Sequence, residues 1–112
     1  MEINPGAGSY IVLTGYAKDL SDVYVYPNPA MVSSGKMTFA NLPKRAKIII
    51  WNLEGMRINE LSETDGNGGV DFNMKDESGK ELGSGIYIYR VVRLDNADNE
   101  VEEKIGKFAV IR

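Results

Sequence analysis

The residues best suited to chemistry are carboxylates and amides in polar loops. Asp65, Asn67 and Asp71 lie across a glycine-rich stretch, and Ca²⁺ takes its oxygen ligands from flexible loops of this kind. Their spacing is not that of an EF-hand, and turn formation explains the same residue types. We therefore predict no metal site and no cofactor, and keep these three residues as weak calcium candidates. A second acidic cluster has the same weakness: Asp95, Asp98 and Glu100.

The absence of histidine and cysteine bears on catalysis. The chain has neither residue, and so lacks the usual general base near neutral pH, the commonest zinc ligand and a thiol nucleophile. Neighbouring carboxylates such as Glu102 and Glu103 point to opposite faces of a strand and cannot act as an acid/base pair. We predict that the protein is not an enzyme.

Aromatic residues offer an alternative, a surface for sugars. Five aromatic side chains could form such a platform: Tyr24, Tyr26, Trp51, Tyr87 and Tyr89. Aromatic residues at a period of two are more often packed in the core of a β-protein. An immunoglobulin-like structural or carbohydrate-binding module stays as the second hypothesis. Nucleic acid is not a predicted partner, because 13 basic against 16 acidic residues give a formal net charge of −3.

The elements that position these residues are short strands. A chain of 112 residues, 43% of them hydrophobic, fits one core. Period-two alternation and β-branched or aromatic residues recur in runs bounded by Gly, Pro, Asn or Asp, with no helical periodicity. The runs are 10–13, 23–26, 37–39, 46–52, 56–61, 70–74, 85–94 and 101–111. This pattern predicts an all-β, antiparallel, immunoglobulin-like β-sandwich of seven to eight strands.

Turn residues set the connections between these strands. Gly55 closes Asn52 to Gly55, where a tight hairpin needs a positive φ, and so pairs the strand before it with the strand after it. Gly79 lies in a polar loop, Asp76 to Lys80. Tyr26-Pro27-Asn28-Pro29 cannot sit in a central ladder, because proline lacks the donor N–H. The chain is expected to change direction or sheet there.

The domain boundary is expected near Asp22. Residues 1–22 are interpreted as an end segment that contains a possible last strand of a preceding domain, Tyr10 to Leu13, and a linker. Residues 23–112 are the sandwich. No apolar run approaches the roughly 20 residues of a membrane span, so no membrane insertion is predicted. Met1 to Pro5 lacks the pattern of a signal peptide, and an export signal would lie upstream.

The order of the motifs is more specific than any one of them. In sequence they are Val25-Tyr26-Pro27-Asn28-Pro29-Ala30, Met37 to Pro43, Ile48 to Gly55, Asp76 to Gly79, Ser84 to Arg90 and Gly106-Lys107-Phe108-Ala109-Val110-Ile111-Arg112. This succession resembles the C-terminal sorting domain of type IX secretion cargo, in a long form similar to the immunoglobulin-like domain of the flagellar hook-capping protein. One departure is Asp71-Phe72-Asn73, where related domains often carry Trp-Asp-Gly.

The resemblance implies a function as a secretion signal. Such domains direct an exported cargo, the upstream part of the same chain, to the outer-membrane type IX translocon of Bacteroidota and related bacteria. The cargo passes through the periplasm and is then released or attached to the cell surface. A sortase-like peptidase often removes the domain. The implied partners are therefore the outer-membrane machinery and this peptidase.

The terminal strand, Glu103 to Arg112, is the predicted recognition segment. An exposed strand edge binds another protein through main-chain hydrogen bonds. The same strand could also simply complete a sheet, with Phe108 and Val110 facing the core while Lys107 and Ala109 face outward. The candidate recognition residues are Lys104, Gly106, Lys107, Phe108, Val110 and Arg112. The candidate structural residues are Tyr26, Pro27, Asn28, Pro29, Gly55, Gly79, Gly85, Tyr87 and Tyr89.

Overall fold

Short strands dominate the computed structural model, which describes residues 16–112. The described residues form eight strands and one short 3₁₀ helix, Val32–Ser34. The near absence of helix agrees with the lack of helical periodicity in the sequence. The strands are β1 Tyr24–Tyr26, β2 Ala30–Met31, β3 Met37–Ala40, β4 Ala46–Asn52, β5 Arg57–Glu63, β6 Gly69–Phe72, β7 Gly85–Leu94 and β8 Glu100–Ile111. The strand predicted over Tyr10 to Leu13 lies outside the described residues.

Two packed sheets form the sandwich, and the predicted fold class is confirmed. One sheet has the order β1-β3-β6 and the other the order β2-β8-β7-β4-β5. Every pairing is antiparallel except that of β2 with β8, which is parallel and which the sequence did not predict. The segment Pro27 to Pro29 lies between β1 and β2 and carries the chain from the first sheet to the second, as the two prolines predicted.

The core lies between the inner faces of the two sheets. Phe108 of β8 is 1% exposed and contacts rings from both sheets. Its ring centroid lies 6.2 Å from that of Phe39 and 6.5 Å from that of Phe72, edge to face, and 5.7 Å from that of Tyr87 in a stack. Aromatic pairs in these geometries add to the stabilisation from burial alone. The last strand therefore contributes the aromatic ring that packs against side chains of both sheets.

The β4–β5 hairpin forms where the turn residues predicted it. Gly55 has a φ of +85°, and its N–H donates to the Asn52 carbonyl at 3.0 Å. The Asn52 side chain accepts a hydrogen bond from the Met56 N–H at 2.9 Å. The positive φ explains why glycine occupies position 55.

Packing against the sandwich begins before the boundary expected near Asp22. Leu20 is 1% exposed and belongs to the core, and Ala17 forms an isolated bridge with Pro43. The Leu20 N–H donates to the Glu102 carboxylate at 3.3 Å. Burial removes the Leu20 side chain from water and stabilises the fold. Residues 17–22 therefore belong to the packed structure.

Candidate recognition edge

The last strand occupies an inner position in the five-stranded sheet. β8 pairs with β7 from Val110, opposite Gly85, to Glu102, opposite Arg93, before the register shifts. On its other side, β2 covers only Val110 and Ile111. The Ala109 N–H on this side donates to the Asn28 side-chain oxygen at 3.0 Å. Among the described residues, nothing further along β8 is paired by a strand on that side.

The hydrogen bond of Ala109 shows which main-chain groups face this side. In a strand, alternate residues direct their N–H and C=O groups to the same edge. The main-chain groups of Lys107, Ile105 and Glu103 therefore point away from β7, as that of Ala109 does. We call residues Glu103 to Lys107 the open edge. It has the geometry needed to accept another strand.

The side chains on the open edge differ in their partners. Ile105 is 63% exposed, which is unusual for an isoleucine in a twelve-residue strand. Glu103 accepts a hydrogen bond from Arg90 at 2.5 Å, and Arg90 also pairs with Glu100 at 3.1 Å. Hydrogen bonds to these two carboxylates raise the pKa of the Arg90 guanidinium, and the bond to Glu103 has the larger effect. Lys107 is exposed and makes no ion pair with any residue in the range 16–112.

Lys104 points to the other face and has a structural role. Its ammonium group donates to the carbonyls of Ser21 at 3.2 Å and Val23 at 3.1 Å. It therefore ties the segment before β1 to the last strand. A partner protein could bind the Lys104 ammonium group only if these two hydrogen bonds were broken, so Lys104 is a poorer recognition residue than Lys107.

The remaining predicted recognition residues are mostly held inside the domain. Phe108 and Val110 are 1% and 2% exposed, so the predicted alternation of inward and outward residues is confirmed. Gly106 lies beneath the Tyr89 ring. Arg112 is exposed, lies 3.7 Å from Glu81, and its N–H donates to the Ser84 hydroxyl at 2.8 Å. Lys107 is the predicted recognition cation with the fewest internal ties.

The weak calcium candidates are not brought together as ligands. The Asp65 carboxylate accepts hydrogen bonds from the Asn67 N–H at 3.1 Å and the Asn67 side chain at 3.3 Å. Asp71, on β6, is bound by Thr38 at 2.8 Å and Lys36 at 3.3 Å. Residues 16–112 contain no cluster of three or more acidic, histidine or cysteine side chains that could hold a metal ion.

The second acidic cluster is likewise occupied by turn and ion-pair contacts. Asp95 accepts hydrogen bonds from the N–H groups of Ala97 at 2.8 Å and Asn99 at 2.9 Å. Asp98 pairs with Arg45. Glu100 is bound to Arg90. The loop chemistry predicted as the alternative to metal binding therefore accounts for these side chains.

The five aromatic residues do not form one platform. Tyr87 and Tyr89 are 8% and 5% exposed and face the core. Gly85 is the first residue of their strand and lies opposite Val110. Tyr24 and Tyr26 are exposed on β1, in the other sheet, with ring centroids 5.6 Å apart. Trp51 is half-buried on β4. A sugar surface could use only the Tyr24–Tyr26 pair.

Glu63 is a structural residue that the sequence analysis missed. It is 2% exposed and accepts hydrogen bonds from the N–H groups of Gly68 at 2.8 Å, Asp65 at 3.1 Å and Gly66 at 3.3 Å. Burial raises the pKa of Glu63, while the hydrogen bond with Glu63 lowers the pKa of Asp65. The sequence does carry a signal for this role, a carboxylate just before a glycine-rich loop. Such a loop presents several free N–H groups that can donate to a carboxylate.

Comparison with known proteins relates the domain to type IX secretion. No family model matches the chain, and no curated protein matches it. Its structure is similar to part of PorZ, an essential bacterial surface component of the type IX secretion system of Porphyromonas gingivalis, with 30% identity and a TM-score of 0.66. Dimeric latent PorU from the same organism shares the fold, with 20% identity and a TM-score of 0.57.

These similarities confirm the resemblance that the ordered motifs indicated. The matches cover 88% and 80% of this chain but only 13% of PorZ and 9% of PorU. The chain is thus similar to a small part of two type IX secretion proteins, and its similarity to PorZ suggests a type IX secretion-related domain. In the part of the chain that the structure describes, no helix has the length and apolar character needed to cross a membrane.

Proposed function

We propose that this domain is a C-terminal sorting signal that directs an exported cargo to the type IX translocon, for release or for attachment at the cell surface. The open edge of β8 is the surface that the secretion machinery reads. The observation that carries this proposal is the combination of a PorZ-like fold with a strand edge, Glu103 to Lys107, that no other strand among residues 16–112 pairs and that leads into the terminal motif. The cargo is the upstream part of the same chain, and it passes through the periplasm.

The domain acts in this proposal as a substrate of other proteins and not as an enzyme. The chain has no histidine and no cysteine. Glu63, at the end of β5, and Asp95, in the loop after β7, each accept hydrogen bonds from nearby main-chain N–H groups. A sortase-like peptidase would separate the domain from its cargo.

Export of a reporter tests the proposal. The whole chain is fused behind a reporter with a cleavable periplasmic signal, in a type IX-competent host. We expect the fusion to reach the surface or the medium. If it stays in the periplasm while a resident type IX cargo is exported normally, the sorting function is wrong.

A substitution on the open edge tests the proposed surface. Ile105→Pro removes an N–H that points away from β7, so the ladder between β7 and β8 keeps its hydrogen bonds while edge pairing is blocked. We expect a folded but periplasmic fusion. Ile86→Asp is the matched control, because Ile86 lies on the same outer face but within the sheet, opposite Ala109. Normal export of Ile105→Pro would contradict recognition through the edge.

A sugar-binding module is the second candidate, and only the exposed Tyr24–Tyr26 pair favours it. Tyr26 borders a cavity of about 490 Å³ that is also lined by Asp22, Asn41 and Asn67. Tyrosine faces and amides are common contacts for sugar rings. A glycan array with the wild type and Tyr26→Ala separates the two functions, since a sorting signal needs no glycan.

A further inference from the structure

The open edge of β8 is complementary to itself in charge. Its outward residues alternate as acidic, apolar and basic: Glu103, Ile105 and Lys107. If two such edges run antiparallel about a twofold axis through Ile105, Glu103 lies opposite the partner's Lys107 and Ile105 lies opposite the partner's Ile105. The second ion pair follows by symmetry, as in every isologous interface.

The main chain fits the same arrangement. The N–H and C=O groups of all three residues point to the edge, so each residue faces its counterpart as a hydrogen-bonded pair. Each such pair exchanges two bonds, which gives about six main-chain hydrogen bonds between the copies. Pairing beyond Lys107 is limited, because the Ala109 N–H is held by Asn28 and β2 follows directly.

The charges also favour this register over others. A twofold axis through Lys104 would place Glu103 opposite the partner's Ile105, and an axis through Gly106 would place Lys107 opposite the partner's Ile105, so the two nearest registers form no ion pair. A twofold axis through Glu103 would place that carboxylate against the partner's Glu103, and an axis through Lys107 would place two ammonium groups together. Like charges directly opposite each other destabilise a strand pair. The axis through Ile105 avoids both. It also supplies a counter-ion for Lys107, which has none among the described residues.

We propose that two copies of this domain associate through their β8 edges, in antiparallel register centred on Ile105, to form one sheet that continues across both copies. The Arg90 guanidinium holds Glu103 in place through a 2.5 Å contact, so the partner's Lys107 meets a carboxylate that is already oriented. The area involved is small, and the affinity is accordingly weak.

Self-association has a consequence for the sorting function proposed above. The same main-chain groups cannot pair with a second copy and with a protein of the secretion machinery. Domains at high local concentration would therefore hide the edge from the machinery, and dilution would expose it. The pairing itself does not depend on the sorting function.

Charge exchange tests the pairing. Sedimentation equilibrium of the full chain, up to about millimolar concentration, measures the weak dimer expected for a small interface. Glu103→Lys and Lys107→Glu each place like charges at both cross-strand pairs and are expected to weaken self-association about tenfold or more. An equimolar mixture of the two variants restores opposite charges at every pair and should form a heterodimer as tight as the wild-type dimer.

The mixture also controls for folding, since a misfolded variant would not regain association. Circular dichroism of each variant checks that losing the Glu103–Arg90 contact leaves the sandwich intact. A wild-type chain that stays monomeric throughout overturns the proposal and leaves the edge to a strand of another protein. A dimer that is unaffected by either substitution overturns it equally.

Discussion

The Tyr89 ring lies directly over Gly106, its paired neighbour across β7 and β8. A Cβ atom at position 106 would lie 2.5 Å from Tyr89 Cζ and 2.8 Å from Cε2, closer than packed carbon atoms approach. Burial in this position raises the pKa of the Tyr89 hydroxyl. Tyr89, in the Ser84 to Arg90 motif, therefore requires a glycine at this place in the terminal motif. The contact links two parts of the chain that the sequence shows only as separate patterns.

Gly106→Ala should destabilise the domain by about 1 to 3 kcal/mol, because the ring must move out of a filled core. Urea denaturation measures this loss. Gly83→Ala is the control, since nothing lies within 4 Å of a Cβ at that position. Combining Gly106→Ala with Tyr89→Ala should cost less than the sum of the two single changes. If the losses in the free energy of unfolding were additive, the contact between position 106 and the Tyr89 ring would not be the cause of the destabilisation.

Glu63→Ala should destabilise the domain by about 1 to 3 kcal/mol, because it leaves N–H groups of the 65–68 loop without their buried acceptor. Hydrogen exchange at Gly68, whose N–H donates to Glu63 at 2.8 Å, should accelerate with it. Glu60→Ala, on the same strand but in a more exposed ion pair with Arg57, is the control and should cost under about 1 kcal/mol. Unchanged exchange in the loop would contradict the role assigned to Glu63.

Asn28→Ala should loosen the end of β8 that β2 covers. The Ala109 N–H loses its acceptor at 3.0 Å, and we expect its amide exchange to accelerate about tenfold. Asn96→Ala, in the exposed loop between β7 and β8, should leave that amide unchanged. Equal exchange rates of the Ala109 amide in the two variants would contradict the role assigned to the Asn28 side chain.

Acid should destabilise the domain through its turn aspartates. The Ser78 hydroxyl lowers the pKa of Asp76, and the Asn99 N–H lowers that of Asp95. A lowered folded-state pKa contributes stability that is present above the unfolded value, about 4, and is lost as the pH falls through the folded value. Asp76→Asn should therefore flatten the fall in Tm between about pH 5 and 2. An unchanged slope would contradict this assignment.

Local patterns predicted most of the fold. Period-two alternation located seven of the eight described strands, and Gly55 located the hairpin, because both signals arise within a few neighbouring residues. β2 was missed since two residues, Ala30 and Met31, carry no alternation. Its parallel pairing depends on how Pro27 to Pro29 cross between sheets, a long-range property with no local signal.

The candidate site was predicted less completely. The outward direction of Lys107 and the burial of Phe108 follow from alternation along one strand. The hydrogen bonds of Lys104 to Ser21 and Val23 span more than 80 residues and cannot be read from the sequence around either end. The same holds for Gly106, whose requirement comes from the ring of Tyr89 on the neighbouring strand.

The inner position of β8 also constrains when the domain can fold during synthesis. β8 is the last strand along the chain, yet it lies between β2 and β7 and supplies the ring of Phe108. Until residues 100–111 leave the ribosome, β2 has no neighbour and the two layers lack the side chain that joins them. A translation product cut short before this point would carry no folded domain. Export that depends on the folded domain, as proposed above, would then require synthesis to have passed residue 111.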